Sequence, residues 1–154
     1  MTRLPEDINP SIENAFQRAR LVPGFLADNE LRFLGALAAC TPAQGAIVEI
    51  GNFKGKSTVM LSAINAKYGQ GRVVAIDPHA GLGYLGPHAP QQDPTFEEFL
   101  ASLKSAGVEQ NVEVRPPSPA MSLKTGIVPS ACSGSMAIIP TVAARRISIC
   151  SRPF

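Results

Sequence analysis

The amino-acid sequence predicts an α/β fold built on a parallel sheet, and three observations carry the prediction. The segment AIVEIGNFKGKST, residues 46–58, runs an apolar strand into a glycine turn and then into the start of a helix. A second apolar run, RVVAID at 72–77, again ends in a carboxylate, Asp77. A third run, NVEVR at 111–115, follows a further helical pattern, so the order is β-α-β-α-β with helices as the crossovers. Right-handed crossovers place such strands in parallel. Two strands that each deliver an acid at the carboxyl edge of a parallel sheet describe half of a Rossmann-like domain.

Each element has its own signal. SIENAFQRARL (11–21) reads as a short helix capped by Ser11 and ended by Pro23 and Gly24. Asp28 is the expected cap of a second helix, in which Leu31, Leu34, Leu37 and Ala38 share the face that packs on the sheet. Thr41, Pro42 and Gly45 lead into the first strand. After the glycine turn, STVMLSAINAK (57–67) is the first crossover helix, with Val59, Leu61 and Ile64 apolar and Gly69 beyond its end. A connection rich in proline and glycine spans 78–94 and holds both histidines, His79 and His88; loops of this length inside a domain are usually functional or disordered. Thr95 and Glu98 form a capping-box pattern for FEEFLASLKSA, and Gly107 stops that helix. The expected divisions are N-terminal helices at 1–45, a cofactor-binding half-domain at 46–115 and a tail at 116–154.

Length and composition bound the rest. A chain of 154 residues has room for one domain. It has no apolar run long enough to span a bilayer and no signal-peptide core at its start, so a cytoplasmic protein is the expectation. Cys40, Cys132 and Cys150 are odd in number and lack CxxC spacing, which argues for reduced thiols over a disulfide framework or a zinc site. Through Glu113 twelve acids meet nine bases, a net −3; from Val114 onward five bases meet no acid, a net +5. Those bases are sparse and interrupted by serines and prolines, a weak patch for nucleic acid or a membrane, and neither partner is expected.

The chemistry concentrates in the turn. Glycine tolerates positive φ and lets a ligand approach the backbone, so Gly51 and Gly55 behind Glu49 are a cradle for a cofactor or nucleotide. A glycine turn without a ligand is the plain alternative. GNFKGKS also resembles a phosphate-binding P-loop, but that motif needs four residues between its glycines and this turn has three. Lys56 is then better read as a solvated lysine at a helix start. His79 and His88, with Asp93, read more simply as loop polar groups than as metal ligands or a base.

VEIGNFKGKST, then VVAIDPHAG, then PTFEEFLASLKSAGVEQNVEV together resemble the class I S-adenosylmethionine-dependent methyltransferases, in the branch whose first motif reads VEIGxxxGxST. The resemblance covers roughly residues 22–114 in order and spacing. It implies that Glu49 lies near the methionine part of the cofactor, that Gly51 and Gly55 let the backbone meet it, and that Asp77 accepts from the ribose hydroxyls. The cofactor set it implies is Glu49, Gly51, Asn52, Phe53, Gly55, Ser57 and Thr58 from the turn, with Asp77, Pro78 and His79 from the end of the second strand. S-adenosyl-L-methionine is the implied cofactor and a small-molecule oxygen the implied acceptor. No catalytic residue or metal ligand is assigned in this chain.

The tail departs from that family. After its third strand the branch continues to a fourth that commonly ends in IDGDHSY, whose acids and histidine carry metal or acid–base roles in several intact members; a divalent metal is implied there. No such string occurs after Arg115, where six prolines and no acid are found. Codons read from each third base tell a different story. The last base of the single methionine codon at Met136, followed by GC of Ala137, forces a glycine, and the junctions on either side allow aspartate. Residues 133–143 are then compatible with WIDGDHSYRG, residues 119–129 with RDVAEDWNR, and residues 146–153 with DFDLFSP. A single length change in the coding DNA between about Val114 and Pro119 would explain the tail. On that reading the 154-residue product lacks its acceptor site and base and leaves the apolar edge of the first strand unpaired, unless Met136 to Ile139 substitute in a strand that Pro140 would end early. A marginally stable or aggregation-prone product without turnover is then expected, with weak cofactor binding as its residual activity.

Overall fold

The computed structural model describes residues 5–41, 45–79, 95–115 and 135–140. Two helices lead: α1 (Ile8–Ala19) and α2 (Asp28–Ala39). Then come β1 (Gly45–Ile50), α3 (Lys56–Tyr68), β2 (Val73–Ile76), α4 (Phe96–Ser105), a 3-10 turn at Glu109–Asn111, β3 (Val112–Arg115) and β4 (Ser135–Pro140). The sheet order is β3-β2-β1-β4. Ile47 pairs with Val73 and Ile50 with Ile76 in the parallel β1–β2 ladder, and Val73 with Val112 in the parallel β2–β3 ladder. The α/β class and the parallel β-α-β-α-β order read from the sequence are what the chain adopts.

Helix starts differ from expectation. Helix α1 begins at Ile8, three residues before Ser11, because Pro10 falls in the first turn, where its missing N–H has no intrahelical partner to lose. Asp28 is the first residue of α2 and not its cap; the Ala27 N–H donates to Glu30 Oε2 at 2.9 Å. Thr95 precedes α4 without a side-chain cap bond, its hydroxyl being turned to His79. Gly69 and Gly107 end α3 and α4 in left-handed backbone, as read from the sequence.

One apolar core lies between the sheet and the helices. Phe16 and Ala19 of α1, Leu31 and Ala38 of α2, Val59, Met60, Leu61 and Ile64 of α3, and Phe99 and Leu103 of α4 close over Ile47, Val73 and Ala75. Full burial of the valine, leucine, isoleucine, methionine and phenylalanine side chains contributes about 1.5–3 kcal/mol each. Gly35 receives the end of the Met60 side chain, whose Cε would stand 2.1 Å from a Cβ there. Gly71, at φ +100, lets β2 begin against β1, where a Cβ would lie 1.9 Å from the Gly45 carbonyl oxygen.

The tail and the edge of β1 correct the expectation. Ser135–Pro140 is a strand, and it covers β1 antiparallel, with Ser135 opposite Ile50 and Pro140 opposite Gly45. An apolar strand edge offers a row of unpaired backbone groups, and an extended apolar segment satisfies them in either direction. Pro140 stands at the last position of the strand, where a missing N–H costs least. The tail residues 116–134 and 141–154, and His88 and Asp93 in the long connection, lie outside the described residues.

Candidate functional site

The site lies where β1 and β2 end. Register sets it: Glu49 pairs with Ala75, and the Gly51 N–H donates to the Ile76 carbonyl at 2.9 Å, extending the ladder one residue past β1. Asp77, the residue after β2, therefore comes level with the glycine turn. Gly51 has φ +83 and Gly55 φ +93. A Cβ on Gly51 would meet nothing within 4 Å among the described residues, which leaves that backbone open to a ligand on their side. A Cβ on Gly55 would stand 3.0 Å from the Phe99 ring, so that glycine serves packing beneath the turn. The turn closes with the Gly55 N–H donating to the Asn52 carbonyl at 2.7 Å.

The two carboxylates differ in setting. Glu49 is buried, and its carboxylate accepts from the Ser57 hydroxyl and from Thr58 Oγ1 at 2.5 Å, both in the first turn of α3. Burial outweighs these bonds, and with the nearby negative charge of Asp77 it pushes the Glu49 carboxyl up to about 7. Asp77 organises the loop: Oδ2 accepts from the Phe53 N–H at 2.8 Å and Oδ1 from the His79 N–H at 2.7 Å. Both donors are residues with positive φ, Phe53 at 47° and His79 at 50°, a conformation that persists in non-glycine residues only where surrounding contacts fix it.

Two buried side chains at the site carry polar atoms with no hydrogen-bond partner among the described residues. The Asn52 side chain is fully buried, and neither its amide nitrogen nor its oxygen is hydrogen-bonded. His79 is buried between Phe96 and Phe99, with ring centroids 5.1 and 5.0 Å away, its Nδ1 lies 3.2 Å from Thr95 Oγ1, and its Nε2 has no partner. Burial lowers the His79 pKa, favouring the neutral ring. Groups of this kind are costly unless something satisfies them. With the open backbone at Gly51 and the free N–H groups at the start of α3, the residues present fit a polar ligand in the turn.

Nine of the ten residues singled out from the sequence gather here; Pro78, between Asp77 and His79, is exposed. Ser57 and Thr58 spend their hydroxyls on Glu49. Sequence reasoning missed four supports. Phe25 packs on Phe53 with centroids 5.3 Å apart, Lys54 pairs with Glu98 at 2.7 Å, Thr95 meets His79, and Phe99 underlies Gly55. The Thr95–Glu98 spacing pointed to a cap and so concealed the threonine's other use. No group of three or more histidine, cysteine or acidic residues suited to a metal occurs among the described residues, and no helix there is long and apolar enough to cross a membrane.

Three parallel strands whose first glycine turn lies between two strand-end carboxylates place the chain in the Rossmann-like α/β class. The sequence model of a family described as methyltransferase domain matches residues 48–127, more than half of the chain, and the chain belongs to that family. Among solved structures it is similar to a candidate O-methyltransferase from Klebsiella pneumoniae, at 23% identity and a TM-score of 0.46 over 81% of this chain and 49% of that one. It is also similar to the cofactor-bound Rv0187 protein from MTB, at 24% identity and a TM-score of 0.47 over 79% of this chain and 55% of that one. The chain thus spans about half the length of either structure. No curated protein matches it.

Proposed function

We propose that residues 46–115 are the cofactor-binding half of a class I methyltransferase that uses S-adenosylmethionine and methylates an oxygen of a small molecule. The observation that carries this is the turn itself: open backbone at Gly51, the unpartnered Asn52 amide, and carboxylates on both flanking strands. Asp77 retains lone pairs beyond the two backbone N–H groups it accepts, enough for vicinal ribose hydroxyls. The start of α3 carries about half a positive charge, suited to the cofactor's carboxylate. Glu49, Gly51, Asn52, Phe53, Gly55, Ser57, Thr58, Asp77, Pro78 and His79 make up the binding set. The bound cofactor would supply an activated methyl group, and these residues would hold it in line with the acceptor oxygen.

The tail is the second part of the proposal. Residues 119–153 are the out-of-frame reading of a segment that would complete the acceptor site and supply the base, and the chain as it stands is a cytoplasmic cofactor binder without turnover. The compatibility of residues 133–143 with WIDGDHSYRG, in family order after two other compatible stretches, supports this. A P-loop nucleotide hydrolase is the competing enzyme class, and the three-residue gap between Gly51 and Gly55 counts against it.

Two measurements test the proposal. Calorimetric titration with S-adenosylmethionine and with ATP plus magnesium is expected to show binding of the first alone; preference for ATP overturns the assignment. The nucleotide sequence of the coding region from Glu109 onward is expected to spell the shifted motif in an open frame. Codons that forbid that reading make the tail genuine and leave a non-catalytic binding fragment.

A further inference from the structure

The inference concerns regulation of the proposed cofactor site and rests on that reading. Glu49 is 4% exposed, yet among the described residues no cation touches it. The first turn of α3 faces it with the uncharged hydroxyls of Ser57 and Thr58, and the end of β2 with Asp77, a like charge. Of the two lysines of the turn, Lys54 is paired with Glu98, and the stem of Lys56 lies against Gly24. His79, whose Nδ1 is 4.0 Å from Asp77 Oδ1, is held toward its neutral form by burial. A carboxyl enclosed in this way finds no countercharge among the described residues, and a cationic ligand would bring one.

We infer that Glu49 senses the charge of the molecule in the cradle, so that the cationic methyl donor binds with release of the Glu49 proton while its neutral thioether product binds without that release. The donor's sulfonium, ammonium and carboxylate sum to one positive charge; loss of the methyl group leaves a neutral sulfur and a net charge of zero. The proton leaves the Glu49 carboxyl for bulk water as the donor enters, and returns once the methyl group has gone. An opposite charge a few ångströms away in a water-poor site favours the ionised carboxylate strongly, whereas a neutral zwitterion does so weakly. Glu49 thereby favours the donor over the product at neutral and alkaline pH, and acid removes the preference.

The test is calorimetry of the full chain with S-adenosylmethionine and S-adenosylhomocysteine between pH 6 and 8, in buffers of different ionisation enthalpy, corrected for titration of the free ligands. A carboxyl that titrates near 7 in the free protein and stays ionised in the complex gives about a tenfold gain in donor affinity over that range. The expected result is that gain, with about half a proton released per donor at pH 7, and less than about a threefold change for the product. Glu49→Gln is expected to remove the difference between the ligands' pH profiles. If that variant fails to fold, proton release by the wild-type chain still decides. Donor binding without proton release, or equal release with both ligands, overturns the inference and leaves the cofactor assignment standing. Absence of binding by either ligand overturns both.

Discussion

At the scale of single residues, the same enclosure that shapes binding also sets a pH dependence of stability. The folded Glu49 carboxyl titrates near 7 against an ordinary value of 4.5, because burial opposes its charge. A group raised by folding stabilises most when protonated. Its contribution is therefore complete below about pH 4.5 and is lost as pH rises to about 7, a change of roughly 3 kcal/mol. Denaturant unfolding of the ligand-free protein at pH 5 and pH 8 measures it. Glu49→Gln keeps the shape and the hydroxyl partners without the charge, and is expected to flatten that difference and to be the more stable form at pH 8. A variant as pH-sensitive as the wild type would assign the effect to another group.

At the scale of elements, α4 is the floor of the turn. Phe99 is fully buried, its ring would stand 3.0 Å from a Cβ at Gly55, closer than ordinary van der Waals contact, and it lies tilted against the His79 ring with centroids 5.0 Å apart. Phe99→Ala is expected to cost about 3–5 kcal/mol in unfolding free energy and to loosen both His79 and the turn. Phe99→Leu should recover most of the stability but little of the fixed geometry, so cofactor affinity should fall in both variants. Leucine at wild-type affinity would show that α4 supports the fold alone. The sequence displayed these elements well: β1, the turn, α3 and α4 were legible from apolar periodicity and glycine position, and Gly69 and Gly107 mark helix ends as read. Cap positions were not legible: Asp28 and Thr95 are both good caps in isolation, but Glu30 accepts from the Ala27 N–H and starts the helix one residue earlier, while the Thr95 hydroxyl is turned to His79. The pairing of Asp77 with the backbone of Phe53 and His79 was hidden too, since it needs positive φ at residues that rarely adopt it.

At the scale of the whole molecule the decisive feature is the edge of β1. Its six residues pair with β4 from Gly45↔Pro140 to Ile50↔Ser135, antiparallel in a sheet whose other neighbours are parallel. Direction matters because strand ends supply chemistry. An antiparallel strand brings its amino end, Ser135, to the carboxyl edge beside the cofactor turn, whereas a parallel strand brings its carboxyl end there. Under the proposed shifted frame the same codons give an apolar start followed by acids and a histidine, so a parallel strand would deliver those groups next to Ile50 and Gly51. Two chains separate these states. Ending the present chain after Arg115 removes β4 and bares an apolar edge, and this product is expected to self-associate in sedimentation velocity at concentrations where the 154-residue chain sediments as a smaller species. The frame-corrected product is expected to stay dispersed, to unfold in one cooperative step and to transfer methyl groups. If the shortened chain is as soluble as the full one, β4 is dispensable and the edge is protected by other means. If the corrected product is no better behaved, the tail is the native partner of β1.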